Sequence, residues 1–254
     1  MSQSKKSRAD VISYWLLKNV DKAIRDYTMI AEDDRVAVAV SGGKDSLSLL
    51  RLLDVRRQRM RHPYPLLAIH LIGDARGPGI PVHPPLIDYL DASGIETVVE
   101  PVSLVENETL PMGCQRCTWN RRRTLLEMAH RRGFNVVAFG HHADDFAETT
   151  LLNLLYCARA ETMLPRCDYF GGVMRVIRPL CYIPEKEIRR FARAASFPPP
   201  PPDCPQSQNS RRELAAELLR LAETGAKDAR VNLLRAGLKY TVLPGEHADP
   251  NGAG

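Results

Sequence analysis

The feature that most limits this fold is a short apolar segment that runs into a Gly-rich loop and then a helix. Arg35-Val-Ala-Val-Ala-Val40 is followed at once by Ser41-Gly42-Gly43-Lys44-Asp45-Ser46 and by an apolar-periodic stretch from Leu47. A run this short and this uniformly apolar reads as a strand buried on both faces. A strand that turns through paired glycines into a helix belongs to a βαβ unit, so its sheet is parallel and carries helices on both sides. The loop then lies at the carboxyl edge, where α/β sheets bind ligands. Glycines let the backbone approach closely, seryl hydroxyls and amides donate to phosphate oxygens, and the helix start adds a favourable dipole. Lys44 supplies charge. The loop is neither G-x-x-x-x-G-K-[ST] nor G-x-G-x-x-G, which disfavours ordinary P-loop ATPases and dinucleotide-binding Rossmann enzymes.

The rest of the chain repeats the alternation. An amphipathic leading helix is expected over Val11 to Ala31, with Val11, Trp15, Val20, Ala23, Ile24, Tyr27 and Ile30 at helical spacing. Strands are expected at Leu66–Ile72, Glu96–Val102, Asn135–Gly140 and Val173–Leu180. Helices are expected at Leu86–Ala92, Trp119–Arg132, Asp144–Tyr156, Pro184–Ala195, Arg211–Ala222 and Lys227–Ala236, before a Gly-rich tail. Pro198 to Pro202 is an unbroken proline run, which favours a stiff polyproline II segment. The expected class is α/β: a Rossmann-like parallel sheet with helices on both faces and a helical C-terminal extension.

Composition narrows the options. The 254 residues are 44% apolar and 26% charged, with a net charge of +5, which excludes collagen, coiled coils and small disulfide scaffolds. No apolar run is long enough for an export signal or a membrane span, so a cytoplasmic protein is expected. In a reducing compartment the six cysteines read as ligands, catalytic groups or small buried hydrophobes rather than disulfides.

Two further segments carry chemistry. Gly140-His141-His142-Ala-Asp144-Asp145 follows the fourth expected strand and falls on the same sheet edge. Its acids, at a helix start, read either as N-caps or as functional groups, with Asp145 the stronger candidate for a function. Cys114-Gln-Arg-Cys117 precedes a helix and is compatible with zinc, an iron–sulfur cluster or redox chemistry. No second C-x-x-C exists to complete a four-cysteine zinc site. Cys204 follows the proline run, while Cys157, Cys167 and Cys181 read as packing residues.

Ser41-Gly-Gly-Lys-Asp-Ser46 resembles the PP-loop, S-G-G-x-D-S, of ATP pyrophosphatases, and the segment from Gly140 resembles G-H-x-x-D-D-x-x-E-T of the same enzymes. Cys114, Cys117 and Cys204, with Val176-Ile-Arg-Pro-Leu180, Phe191-Ala192 and Phe197-Pro198, resemble the tRNA 2-thiocytidine synthetase (TtcA) family over roughly residues 10–245. The resemblance implies a leading helix over 1–31, a PP-loop ATP pyrophosphatase domain over 32–197, and a Pro-rich cysteine loop with helices over 198–254. It implies cleavage of ATP between the α and β phosphates and adenylation of a substrate carbonyl oxygen. Ser41, Gly42, Gly43, Asp45 and Ser46, with Lys44 beside them, would hold the pyrophosphate portion, and His141 and Asp145 would assist the nucleotide or Mg²⁺. Cys114, Cys117 and Cys204 would hold a [4Fe-4S] cluster whose open iron binds sulfide, making these cysteines and Asp45 the catalytic set. The implied substrate is C2 of cytidine 32 in the anticodon loop of tRNA, with a cysteine desulfurase as sulfur donor. A homodimer is compatible with the pattern.

The chain departs from the family in two places. Asp203 stands near a position where members commonly carry another cysteine, and Gly73-Asp74-Ala75-Arg76 reads as an insertion. The alternatives are a lysidine-forming or amidating PP-loop ligase, thiolation without a cluster through Cys117 and Cys204, and a non-catalytic nucleotide- or RNA-binding paralogue.

Charge is unevenly spread. Residues 111–135 hold six arginines and one acid, and Arg51 to Arg61 holds five arginines and one acid. Residues 88–110 carry six acids and no Lys or Arg. Separation of this kind is expected to steer a polyanion such as tRNA to one face.

Overall fold

Val36 pairs with Leu66 on one side and Val136 on the other, which puts the strand ahead of the Gly-rich loop inside the sheet. The computed structural model describes residues 7–202, 204 and 211–241; Asp203, Pro205 and the Gly-rich tail lie outside the described residues. In chain order the elements are α1 (Arg8–Asp26), β1 (Val36–Ala39), α2 (Lys44–Arg57), β2 (Leu66–Ile72), α3 (Pro84–Ala92), β3 (Glu96–Pro101) and α4 (Cys114–Arg131). Then come β4 (Val136–Ala138), α5 (Ala143–Cys157), β5 (Arg166–Tyr169), β6 (Met174–Ile177), α6 (Glu185–Ala195), α7 (Arg211–Gly225) and α8 (Ala229–Tyr240).

The sheet order is β3-β2-β1-β4-β6-β5. All pairings are parallel except β5 with β6. The chain leaves β1 toward β2 and β3, then crosses to β4 on the other side. Strand order therefore reverses at β1 and β4, and the crevice beyond their carboxyl ends is where such sheets bind ligands. The Gly-rich loop leaves β1 there and the His141 loop leaves β4.

Alternation along β1 explains why it is apolar throughout. Val36 and Val38 join α1, α2 and α6 in one core, while Ala37 joins Val137, Val176 and the α4 residues Leu125, Leu126 and Ala129 in another. Both faces are covered, so neither can carry polar groups cheaply. At the C-terminal end α7 and α8 pack on α5. Gly237 of α8 allows that closeness: a Cβ there would stand 2.1 Å from Thr150 Oγ1.

Several local expectations shift. α1 starts at a Ser7–Asp10 capping box, and its buried stripe is Ile12, Leu16, Leu17, Val20, Ala23 and Ile24. Val11 and Trp15, expected inside, are 47% and 58% exposed. Apolar residues ring this helix broadly enough for two overlapping stripes, and packing against α2 and α6 selects one. α4 begins at Cys114, so the C-x-x-C pair is its first turn rather than a segment before it. β5 has no apolar signature; its Asp168 pairs with Arg166 and Arg175, as suits an edge strand. The acidic segment 88–110 does not stand apart from the arginines: Glu108 pairs with Arg116 at 2.9 Å and Glu100 with Arg132 at 3.3 Å. Folding brings opposite charges together and reduces the separation that the linear sequence suggests.

Candidate active site

The Gly-rich loop is held by its own hydroxyls. Ser41 N donates to Ser46 Oγ at 3.2 Å, Gly43 N to Ser41 Oγ at 3.3 Å, and Ser46 Oγ to the Gly43 carbonyl at 3.0 Å. Gly42 has φ of +88°, which only glycine adopts without strain. Gly43 is the N-cap of α2 and offers no side-chain cap, so the helix amides remain available to an anion. Lys44 Nζ lies 3.1 Å from Asp45 Oδ2 and 3.0 Å from Glu185 Oε1 on α6. Burial of Lys44 works against its charge, but these two carboxylates hold its pKa above the ordinary lysine value.

The second loop closes against the first. A Cβ on Gly140 would stand 2.9 Å from both Asp45 C and Ser46 N, so only glycine permits this contact. His142 N donates to Asp145 Oδ2 at 2.8 Å, and His142 Nε2 stands 3.7 Å from Asp45 Oδ1. Asp45 Oδ1 is buried with no hydrogen-bond partner, as is His141 Nδ1. Burial pushes the Asp145 carboxyl up, with Asp45 adding to the rise and His142 opposing it. Two neighbouring carboxylates, one with an orphaned oxygen, fit a hard divalent cation such as Mg²⁺. Burial and the guanidinium groups of Arg178, Arg212 and Arg122 push His141 down to about 3, so its imidazole is neutral at pH 7. Asp144 instead faces the C-terminal helices, with Oδ1 3.1 Å from Arg230 on α8.

Two chambers open on this edge. A nucleotide-sized one of about 320 Å³ is lined by Ser41, Asp45, Ser46, Arg122, His141 and Asp145, with Val40, Ile69 and Leu71 as apolar wall. The other, about 470 Å³, is lined by Cys114, Cys117 and Cys204. Ser41, Leu71, Thr118 and Arg121 belong to both. Arg121 is fixed at the boundary by donating Nη1 to the Gly73 carbonyl and Nη2 to the Leu71 carbonyl at 3.3 Å. Its burial lowers its pKa, while Cys117 and Asp74 nearby raise it.

The proline run explains how a late cysteine joins an early pair. His83 Nε2 donates to the Pro199 carbonyl at 2.9 Å, and Pro201 packs over Gly42. A polyproline segment advances about 3.1 Å per residue without internal hydrogen bonds, so it spans from α6 to the loop as a stiff strap. Cys204 emerges at its end beside Asp74. Cys117 is pushed up by burial; Cys204, Asp74 and Cys114 push it further, and Arg121 opposes them. Thiols and a carboxylate crowded together resist joint ionisation unless a cationic centre compensates.

Among the described residues no three His, Cys, Asp or Glu side chains converge closely enough for a single metal ion. Three cysteines spread around one chamber do fit a [4Fe-4S] cluster, whose irons are separate and whose thiolates therefore stand further apart.

The structure thus sets Ser41, Asp45 and Ser46 with His141 and Asp145 around one chamber and the three cysteines around its neighbour, while Gly42, Gly43 and Lys44 shape the loop without lining either. Sequence reasoning missed Arg121, Asp74 and Glu185. The Gly73–Arg76 segment is a tight turn, with Arg76 N donating to Asp74 Oδ1 at 2.8 Å, and it places Asp74 in the cysteine chamber. The Asx pattern at Asp74 was the available signal; nothing local marks Arg121 among its arginine neighbours.

The fold and the loop define a class. A PP-loop domain matches residues 16–198. The tRNA-cytidine(32) 2-sulfurtransferase of Shigella dysenteriae serotype 1 is 38% identical over 211 residues, covering 81% of this chain and 67% of that one. The protein of the same name from Escherichia coli O1:K1 / APEC gives the same identity and coverage. The structure of the U34-tRNA thiolase NcsA from Methanococcus maripaludis with its [4Fe-4S] cluster superimposes with a TM-score of 0.68 at 21% identity, covering 89% of this chain and 79% of that one. At that identity the likeness speaks for a shared fold. The chain belongs to the PP-loop family and, within it, to the tRNA-cytidine(32) 2-sulfurtransferases.

Proposed function

We propose that the chain is an ATP-dependent tRNA sulfurtransferase that converts cytidine 32 to 2-thiocytidine. The observation that carries this reading is the shared wall: Ser41, Leu71, Thr118 and Arg121 line both the phosphate-loop chamber and the cysteine chamber. A base at that boundary meets the activating nucleotide on one side and the sulfur-bearing site on the other. Proximity of this kind replaces a bimolecular encounter by an oriented one.

The chemistry balances in two steps. O2 of the cytidine attacks the α-phosphorus of ATP, the α–β bond breaks, and pyrophosphate leaves. A sulfur nucleophile then adds to C2 and the C–O bond breaks, expelling AMP. An adenylated oxygen is a far better leaving group than a ring carbonyl oxygen. Ser41, Gly42, Gly43 and Ser46 present amides and hydroxyls to the departing pyrophosphate, and the α2 dipole favours its charge. Asp45 and Asp145 would hold Mg²⁺, whose charge would offset that of the phosphates. Lys44 lends its charge from between Asp45 and Glu185. Neutral His141 hydrogen-bonds the nucleotide rather than pairing with it. Cys114, Cys117 and Cys204 would hold a [4Fe-4S] cluster, which when bound would supply a place to bind sulfide and deliver it as the nucleophile. Arg121 at the boundary orients the oxygen being activated.

The RNA partner is the anticodon loop, with a cysteine desulfurase as sulfur source and a homodimer as the assembly compatible with the pattern. Beyond the site, Arg8 with Lys186, Arg189, Arg190 and Arg193 of α6 lines a basic surface groove. It joins the phosphate loop through Glu185, which pairs with both Lys44 and Arg189. Such a track suits a phosphodiester backbone.

The test is mass spectrometry of tRNA nucleosides from cells with and without the gene, beside iron and sulfide analysis of anaerobically purified protein. Loss of 2-thiocytidine on deletion is expected. Unchanged 2-thiocytidine defeats the substrate assignment, and iron-free protein that thiolates defeats the cluster.

A further inference from the structure

On α4 and at its C-cap, Arg116, Arg123 and Arg132 each pair with a carboxylate. Arg122 does not. It lines the phosphate-loop chamber next to His141, and its Nε is buried without a hydrogen-bond partner. A second guanidinium stands close by. Arg178 follows β6 where Ile177 pairs with Ala138 of β4, and Phe139 N donates to the Ile177 carbonyl at 2.9 Å. That register sets Arg178 beside the strand end that carries His141. Arg178 is 6% exposed, its Nη1 donates to the Leu164 carbonyl, and its Nε too is buried with no partner.

Two guanidinium groups near each other, with no carboxylate in ion-pair distance of either among the described residues, form an unbalanced arrangement. Burial, with Arg122 adding its repulsion, pushes Arg178 down to about 10. The neighbouring His141 is held neutral, so it adds no further positive charge, and it offers no negative one. Buried charges persist when something compensates them, and a guanidinium fork matches a phosphate group better than any other common anion except carboxylate. The Gly-rich loop cannot be that partner, since it offers donors rather than acceptors.

We propose that Arg122, beside His141 and backed by the buried guanidinium of Arg178, forms a phosphate subsite on the α4 side of the chamber, separate from the Gly-rich loop. Its ligand is a phosphate group from one of two sources: the RNA backbone beside the target base, or the α-phosphate of ATP. The subsite rests on the reading of this chamber as a nucleotide site. An RNA phosphate here would hold the backbone while the base turns out of its stack, and an ATP phosphate here would be aligned for attack.

Arg122→Gln, Arg122→Lys and Arg178→Lys test it in the full chain. Dissociation constants are measured for Mg–ATP by calorimetry and for an unmodified tRNA transcript by fluorescence anisotropy over a range of KCl. R122Q is expected to weaken one or both ligands by about tenfold, and R122K to recover most of that loss. R178K keeps the buried charge and guards against a variant that fails to fold. Weakened tRNA binding with a salt slope reduced by about one assigns the RNA phosphate; weakened ATP binding assigns the nucleotide. Affinities for both ligands within about twofold of wild type in R122Q and R178K overturn the subsite. Wild-type protein that binds both ligands yet leaves tRNA unthiolated defeats the activity reading and not this one.

Discussion

Pro201 lies directly over Gly42: a Cβ on that glycine would stand 2.7 Å from Pro201 Cδ and 2.9 Å from Leu86 Cδ2. The strap that carries the third cysteine is thus seated on the loop proposed to hold pyrophosphate. The two chambers share a structural part as well as a wall.

Gly42→Ala is therefore expected to disturb both. The new methyl meets Pro201 and Leu86, and φ of +88° strains any residue but glycine. A loss of about 1–3 kcal/mol in stability is expected, with weaker ATP binding and lower iron content. Gly43→Ala, whose Cβ would meet only Ser41 Oγ at 3.5 Å, should leave the melting temperature nearly unchanged. Equal destabilisation by both would show that Pro201 does not press on the loop.

Cys204→Ala removes one proposed cluster ligand without touching the Gly-rich loop. Iron per chain and thiolation should both fall to background while Mg–ATP affinity stays within about twofold, because Pro201, which the substitution leaves in place, is the part of the strap that touches the loop. A parallel loss of ATP binding would mean that the strap is held in place by its cysteine.

Glu148 on α5 gives a pH dependence. Burial, then repulsion from Asp145, pushes its pKa to about 7 against Arg230, whose Nη1 is 3.8 Å away. The folded carboxyl keeps its proton up to that pH, whereas the unfolded one releases it near 4.5. The folded state therefore binds more protons in between, and stability falls as pH rises through this window. Glu148→Gln should flatten the decline, exceeding wild type by up to roughly 3 kcal/mol at pH 8 and matching it near pH 4. Urea denaturation in metal-free buffer at both pH values reads this directly.

Lys186→Gln with Arg193→Gln removes two exposed cations from the α6 groove. The slope of log affinity for tRNA against log salt should flatten by about two, with ATP binding unaffected. An unchanged slope places the RNA elsewhere.

Much of the site was legible because its parts are local. Ser41 to Ser46 is a strand–turn–helix junction written in six adjacent residues, and Gly140 to Asp145 repeats the logic one strand along. Arg121 was not legible among three consecutive arginines, because only the carbonyls of Leu71 and Gly73, some fifty positions earlier, distinguish it. Nor was the pairing of Glu108 with Arg116 and Glu100 with Arg132, which linear charge counting treats as separated blocks.

The sequence alone determined that β1 is buried on both faces, that a glycine-rich turn into a helix follows it, and that a stiff proline run precedes the last cysteine. Those features depend on periodicity, glycine freedom and the proline ring, all of which act within a few residues. Tertiary structure decided which face of α1 is buried, that a charged segment becomes β5, and that the proline strap reaches back to Gly42. It also decided that Arg121 stands between two chambers. These outcomes depend on contacts between residues far apart in the chain, and their energies exist only once the sheet has brought the partners together.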